Sequence, residues 1–195
     1  CEPVITRSTA KPYTKIVFKP DYTRFGIENL SEDMRDLLIK RVYDIAAITD
    51  KNIKVKYNDK IIPVKNFQQY IDLYLDDGNK KIHEEYENNR WEYAAALSTT
   101  HEFQQVSFVN GICTFKGGKH VDYILNQITK KMVAYIEKKK KVTVTANSIK
   151  EQIILFVRCD IENPAFDSQT KDYLNTPLSK FGSTCSVSDK FIDKL

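Results

Sequence analysis

The chain has 195 residues and a formal net charge of +4, from 30 basic and 26 acidic residues, and 42% of it is hydrophobic. That length supports one large domain or two small ones with a buried core, and the composition is that of an ordinary globular protein. No apolar run approaches the length of a membrane span. No signal peptide opens the chain. It begins at Cys1 and reads as a piece of something longer.

"YTKIVFKPDYTRF" begins with alternating side chains, which predicts a strand ended by Pro20. In "SEDMRDLLIKRVYDIAAIT", Ser31 is a good N-cap, with Glu32 and Asp33 in the positive first turn. Met34, Leu37, Leu38, Val42, Ile45 and Ile48 follow at helical spacing. "NIKVKYNDKIIPVK" predicts two short strands around an Asn58-Asp59 turn. "NFQQYIDLYL" predicts a helix capped by Asn66. The charged stretch around Gly78 interrupts the pattern, and a domain boundary is expected there, dividing 1–80 from 81–195.

Beyond it, "IHEEYENNRWEYAAALS" reads as a hairpin turning at residues 87–89, with Trp91 as a core anchor. "FQQVSFVNGICTF" is a further strand, interrupted at Asn110-Gly111 by a hairpin turn or a bulge. "KGGKHVDYILNQITKKMVAYIEKKKK" switches to helical period, with Asp122 near its start and lysines at its end, as the helix dipole favours. Polar "NSIKEQ" leads to the apolar strand "IILFVRCDI", and "SVSDKFIDKL" starts a last helix. The whole reads as α+β.

Little of this carries chemistry by itself. Cys1, Cys113, Cys159 and Cys185 are far apart, and His83, His101 and His120 show no metal-ligand spacing, so a reduced intracellular protein without a structural metal is expected. No glycine pattern marks a phosphate-binding loop. Gly117-Gly118 either offers backbone N–H groups to an anion or makes a tight turn into the helix. Lys138, Lys139, Lys140 and Lys141 form either a polyanion-binding cluster or a solvated helix end. "NPAFDSQTKDYL" places Gln169, Thr170 and Lys171 together, as a solvated loop or as donors held out toward a phosphate.

The blocks "KIVFKPDYTRFG", "RWEYAAALS", "FQQVSFVNGICT", "KGGKHVDYI", "IENPAFDSQTK" and "FGSTC" occur in the order seen in eukaryotic-type DNA topoisomerase II, which the chain resembles from about Tyr13 to its end. The resemblance implies the C-terminal part of a GHKL ATPase domain (1–80) followed by a transducer domain (81–195) with a left-handed βαβ crossover. It implies ATP-dependent passage of one DNA duplex through another, with closure of an ATPase homodimer as the entry gate. Lys171 and Gln169 of the "QTK" loop would then reach the ATP γ-phosphate, with Thr170 beside them and Thr14 near the adenine end of the pocket. Lys138, Lys139, Lys140 and Lys141 would face double-stranded DNA. Magnesium ligands, the general base, the ATP lid and the DNA-cleaving tyrosine would lie outside this chain. The implied compartment is the nucleus, with viral or organellar relatives sharing the motifs. The competing readings are a non-catalytic DNA-binding module and another GHKL ATPase.

Overall fold

A computed structural model describes residues 2–76, 78–86 and 89–195, which divide into two compact units, Cys1–Leu38 and Ile39–Leu195. In the first unit, residues 2–20 are irregular and mostly exposed. The strand expected at residues 13–18 does not form. A strand needs a hydrogen-bonding neighbour, and none among the described residues pairs with this segment. Tyr13, Ile16, Val17 and Phe18 remain 77–84% exposed. A 3₁₀ turn, Thr23–Phe25, closes on Gly26, whose φ of 68° suits glycine.

Helix α1, Glu32–Ile48, starts as expected: the Ser31 hydroxyl accepts the Met34 N–H at 3.2 Å. Its burial differs from the apolar spacing. Met34, Leu37, Leu38 and Ile45 are about half exposed, whereas Asp44, Ala46 and Ala47 are buried. Asp44 is tolerated there because Lys40 at 2.8 Å, Arg41 at 3.3 Å and the Tyr70 hydroxyl at 2.6 Å surround its carboxylate.

The second unit is built on a five-stranded sheet. β1 (Lys56–Tyr57) and β2 (Lys60–Ile61) form a separate hairpin, with Asn58 and Asp59 both at positive φ as a tight turn requires. α2, Phe67–Ile71, is capped by Asn66, whose side chain accepts from Gln69 N–H at 2.8 Å. The main sheet contains β3 (Ile82–Glu85), β4 (Trp91–Leu97), β5 (Gln104–Val109), β6 (Ile112–Cys113) and β8 (Ile153–Cys159), in the order β3-β4-β8-β5-β6. β3 and β4 form the expected antiparallel pair; residues 87 and 88 of its turn lie outside the described residues. Asn110 and Gly111 resolve as a hairpin turn joining β5 to β6.

β5 and β8 run parallel, and the chain between them includes β7 (Gly117–Gly118), α3 (Lys119–Lys140) and α4 (Ala146–Lys150). Parallel neighbours need such a crossover. β9 (Tyr173–Leu174) and α5 (Asp189–Lys194) complete the unit.

β8 reads as an unbroken apolar run because both faces of the sheet are covered. Trp91, Tyr93, Leu155 and Val157 face one core with Ile124 and Ile128 of α3 and Phe191 of α5. Ala94, Ala96, Phe108 and Phe156 face the other, with Ala46 and Ala47 of α1 and Phe67, Tyr70 and Ile71 of α2. Distant sequence blocks meet at Trp91, whose indole N–H donates to Ser183 at 2.8 Å and whose ring packs on Phe181 and Tyr123.

Candidate functional site

The chain leaves β8 at Cys159 and does not reach Gln169 until ten residues later, so β8 is not the direct base of the QTK loop. Two other devices hold it. Asn110 pins the exit from β8, its amide donating to Ile161 O at 2.9 Å and its carbonyl accepting Ile161 N–H at 2.7 Å. The chain then folds back on itself. Phe166 bridges to Leu174, Asp167 N–H donates to Tyr173 O at 3.1 Å, and Ala165 N–H donates to the Thr176 hydroxyl at 2.7 Å. Residues 168–172 are therefore the tip of a small antiparallel loop whose return arm is β9.

β9 is fixed by parallel pairing with β7, Gly117 to Tyr173 and Gly118 to Leu174. This gives the two glycines their role: they make the strand immediately before α3. Gly118 has φ +141°, and a Cβ there would sit 2.5 Å from Leu174 N. Only glycine lets the two backbones approach this closely. The polar core beneath includes His120, whose Nε2 lies 3.2 Å from the Thr114 hydroxyl. Burial holds the His120 ring pKa down at about 3, so it is neutral at ordinary pH.

At the tip, Lys171 adopts the left-handed conformation, φ 60°, with its N–H donating to Ser168 O at 3.1 Å. A non-glycine residue does so only where a turn demands it. Its ammonium lies 5.8 Å from the centre of the Phe166 ring, a cation–π contact. Gln169 is exposed, which leaves its amide facing solvent. The Thr170 hydroxyl is used inside the loop, donating to Asp172 at 2.8 Å and lying 2.9 Å from the Ser168 hydroxyl. The tip thus presents a cation and an amide on a braced backbone, a geometry suited to an anionic group carried by another body.

Lys138, Lys139 and Lys140 form the exposed last turn of α3, and Lys141 caps it at φ 56°, its N–H donating to Glu137 O at 3.1 Å. The Lys139 ammonium is 5.8 Å from the Tyr135 ring centre. The cluster is separated from the QTK loop by the 22 residues of α3, at whose opposite end β7 holds β9. The structure therefore unites Gln169, Thr170 and Lys171 and keeps the four lysines apart from them. Thr14 belongs to the first unit, in its exposed irregular segment. Among the described residues, no group of three or more His, Cys, Asp or Glu could hold a metal ion. Cys113, Cys159 and Cys185 are free thiols, and among the described residues no helix is long and apolar enough to cross a membrane.

Sequence reading missed Lys116 and Asp172. Lys116 N–H donates to Asp172 O at 3.0 Å, and its ammonium lies 3.5 Å from the Asp172 carboxylate. Both residues stand beside motifs that the sequence does mark, "GGKH" and "QTK", but nothing local says that they pair.

The profile of the DNA gyrase B family matches residues 66–195, and the chain belongs to that family. Within it, the chain is similar to eukaryotic type II enzymes. It is 47% identical to DNA topoisomerase 2 of Arabidopsis thaliana over its whole length and 47% identical to DNA topoisomerase 2-alpha of Homo sapiens over 92% of it. It spans 14% and 12% of those proteins. It superposes on the ATPase region of Saccharomyces cerevisiae topoisomerase II with a TM-score of 0.82 at 43% identity, covering 91% of this chain and 45% of that one. The ATPase and transducer domains of topoisomerase II from Balamuthia mandrillaris match equally well in shape, at a TM-score of 0.82 and 37% identity, covering 90% of this chain and 44% of that one.

Proposed function

We propose that this chain is the rear of the ATP-operated gate of a type II DNA topoisomerase, with residues 1–80 completing a GHKL ATPase domain and 81–195 forming its transducer. The observation that carries the reading is the placement of Lys171: a cation at the tip of a loop locked to the main unit through β7 and β9. The ammonium and the Gln169 amide would bind the γ-phosphate of ATP seated in a neighbouring nucleotide pocket. Thr14, in the first unit, would contact the adenine of a bound nucleotide. Thr170 would shape the loop through its hydroxyl. ATP would supply the γ-phosphate whose presence or loss sets the gate, and Mg2+ would be held by residues beyond this chain. Two such subunits would close around DNA, in the nucleus.

A hydrogen bond to a charged group is worth roughly 1.5–3 kcal/mol, enough to shift a gate equilibrium by about 10- to 150-fold. Lys171→Ala in the full-length protein is therefore expected to lower ATP turnover by about that factor while nucleotide still binds. Unchanged turnover, with and without DNA, would overturn the loop's role and favour a DNA-holding module centred on the lysine run.

Lys138, Lys139, Lys140 and Lys141 would bind phosphates without reading sequence. Replacing all four by Gln is expected to weaken duplex binding alike on unrelated sequences. It would also flatten the plot of log affinity against log salt by about 0.9 for each phosphate that is no longer neutralised. An unchanged slope would remove the cluster from the DNA path.

A further inference from the structure

Asp172 follows Lys171 directly, and this placement poses an electrostatic difficulty. A carboxylate one residue from a phosphate-binding ammonium repels the incoming anion and offers that ammonium a competing partner inside the loop. The structure resolves it with Lys116, from the segment that enters β7. The Lys116 ammonium lies 3.5 Å from one Asp172 oxygen, and the Thr170 hydroxyl donates to the same oxygen at 2.8 Å. The Lys116 N–H also donates to Asp172 O at 3.0 Å, so backbone and side chain act together. The Asp172 side chain is only 15% exposed, whereas that of Lys116 is 54% exposed. The carboxylate is thus partly withdrawn from water, where its charge is less screened, and its countercharge reaches it from the surface.

We propose that Lys116 is a positioning residue for the QTK loop, one that neutralises Asp172 so that Lys171 stays free to bind a γ-phosphate. The inference rests on the proposed role of Lys171. It gives Lys116 and Asp172 a function in discriminating nucleotide triphosphate from diphosphate, although neither would touch the nucleotide. Asp167, the loop's other acid, is turned to the loop itself, its carboxylate accepting from the Ser168 hydroxyl at 3.2 Å and Tyr173 N–H at 3.3 Å, so Asp172 is the acid that Lys116 answers.

The test uses the full-length protein and compares binding of a non-hydrolysable ATP analogue with binding of ADP. Lys116→Met is expected to weaken the analogue by about three- to fivefold, the range open to a half-exposed ion pair, and to leave ADP unchanged. Lys116→Arg should bind both ligands as the wild type does. Adding Asp172→Asn to Lys116→Met should restore the analogue, because the unpaired charge is then gone. Equal weakening of both ligands by Lys116→Met, or a double variant as weak as the single one, would reduce Lys116 to a structural brace and overturn the proposal. Lys171→Ala serves as the reference. If it weakens the analogue selectively and Lys116→Met does not, only the role of Lys116 fails. If Lys171→Ala itself leaves the ratio unchanged, the phosphate-sensing reading fails and takes this inference with it.

Discussion

Gly118→Ala is expected to destabilise the protein by about 3 kcal/mol or more and to detach β9 from β7. Two costs add. The backbone at φ +141° is one that L side chains rarely adopt, worth roughly 1–3 kcal/mol. The added Cβ would also meet backbone, at 2.5 Å from Leu174 N and 2.7 Å from Leu174 O, where no side-chain rotation relieves the clash. Gly117→Ala is the control. Its φ is +80°, but its Cβ would meet nothing nearer than 3.6 Å, so about 1–2 kcal/mol is expected from conformation alone. Urea unfolding measures both. Equal, small losses would mean that β7 and β9 do not approach as described. Because β9 is the return arm of the QTK loop, the proposed function adds that Gly118→Ala should impair nucleotide-triggered closure of the full-length protein under conditions where it stays folded.

Arg158→Met should cost about 2 kcal/mol at neutral pH, and the cost should shrink in acid. Glu92 is buried in the sheet, with His83 Nε2 donating to its carboxylate at 2.7 Å from β3 and Arg158 bonded to it from β8. Burial by itself would raise the Glu92 pKa. The His83 hydrogen bond and the Arg158 charge outweigh it and hold the carboxyl below its ordinary 4.5. A carboxyl depressed in the folded state contributes stability that is present above about pH 4.5 and lost as pH falls through the lower folded value. Removing one partner from a buried acid costs about 3–5 kcal/mol, discounted here because the Arg158 side chain is 32% exposed. Melting temperatures of wild type and variant, followed from pH 7 downward, should converge once Glu92 is protonated. A constant gap across that range would show that Arg158 acts by packing instead.

Local signals were legible in the sequence wherever a few neighbouring residues suffice. Ser31 and Asn66 each cap the helix that follows, Asn58-Asp59 turns a hairpin, and of the two readings open at Asn110-Gly111 the structure shows the hairpin turn. The apolar run of β8 marked a buried strand, and the structure covers both its faces. The failures are non-local. Alternation at residues 13–18 marks a segment able to pair but does not supply the partner. The helical spacing of Met34, Leu37 and Leu38 marks an apolar stripe but not what covers it, and Ala46, Ala47 and Asp44 are buried instead. The same limit applies at the site. "QTK" announces itself by residue type and resemblance, whereas the β7–β9 pairing and the Lys116–Asp172 brace join segments far apart in the chain.

α3 connects two proposed working ends of the second unit. Its first residue directly follows the strand that grips the QTK loop, and its last turn carries the lysine cluster. At about 1.5 Å per residue, 22 residues make a rod roughly 33 Å long. A tilt of about 5° at the glycine end would swing the lysines by roughly 3 Å, close to the spacing of successive base pairs along a duplex. On the proposed function, the helix would serve as a lever arm. If the proposed roles of the two ends hold, a change too small to reshape the loop at one end would move the four cations by nearly one base-pair step at the other.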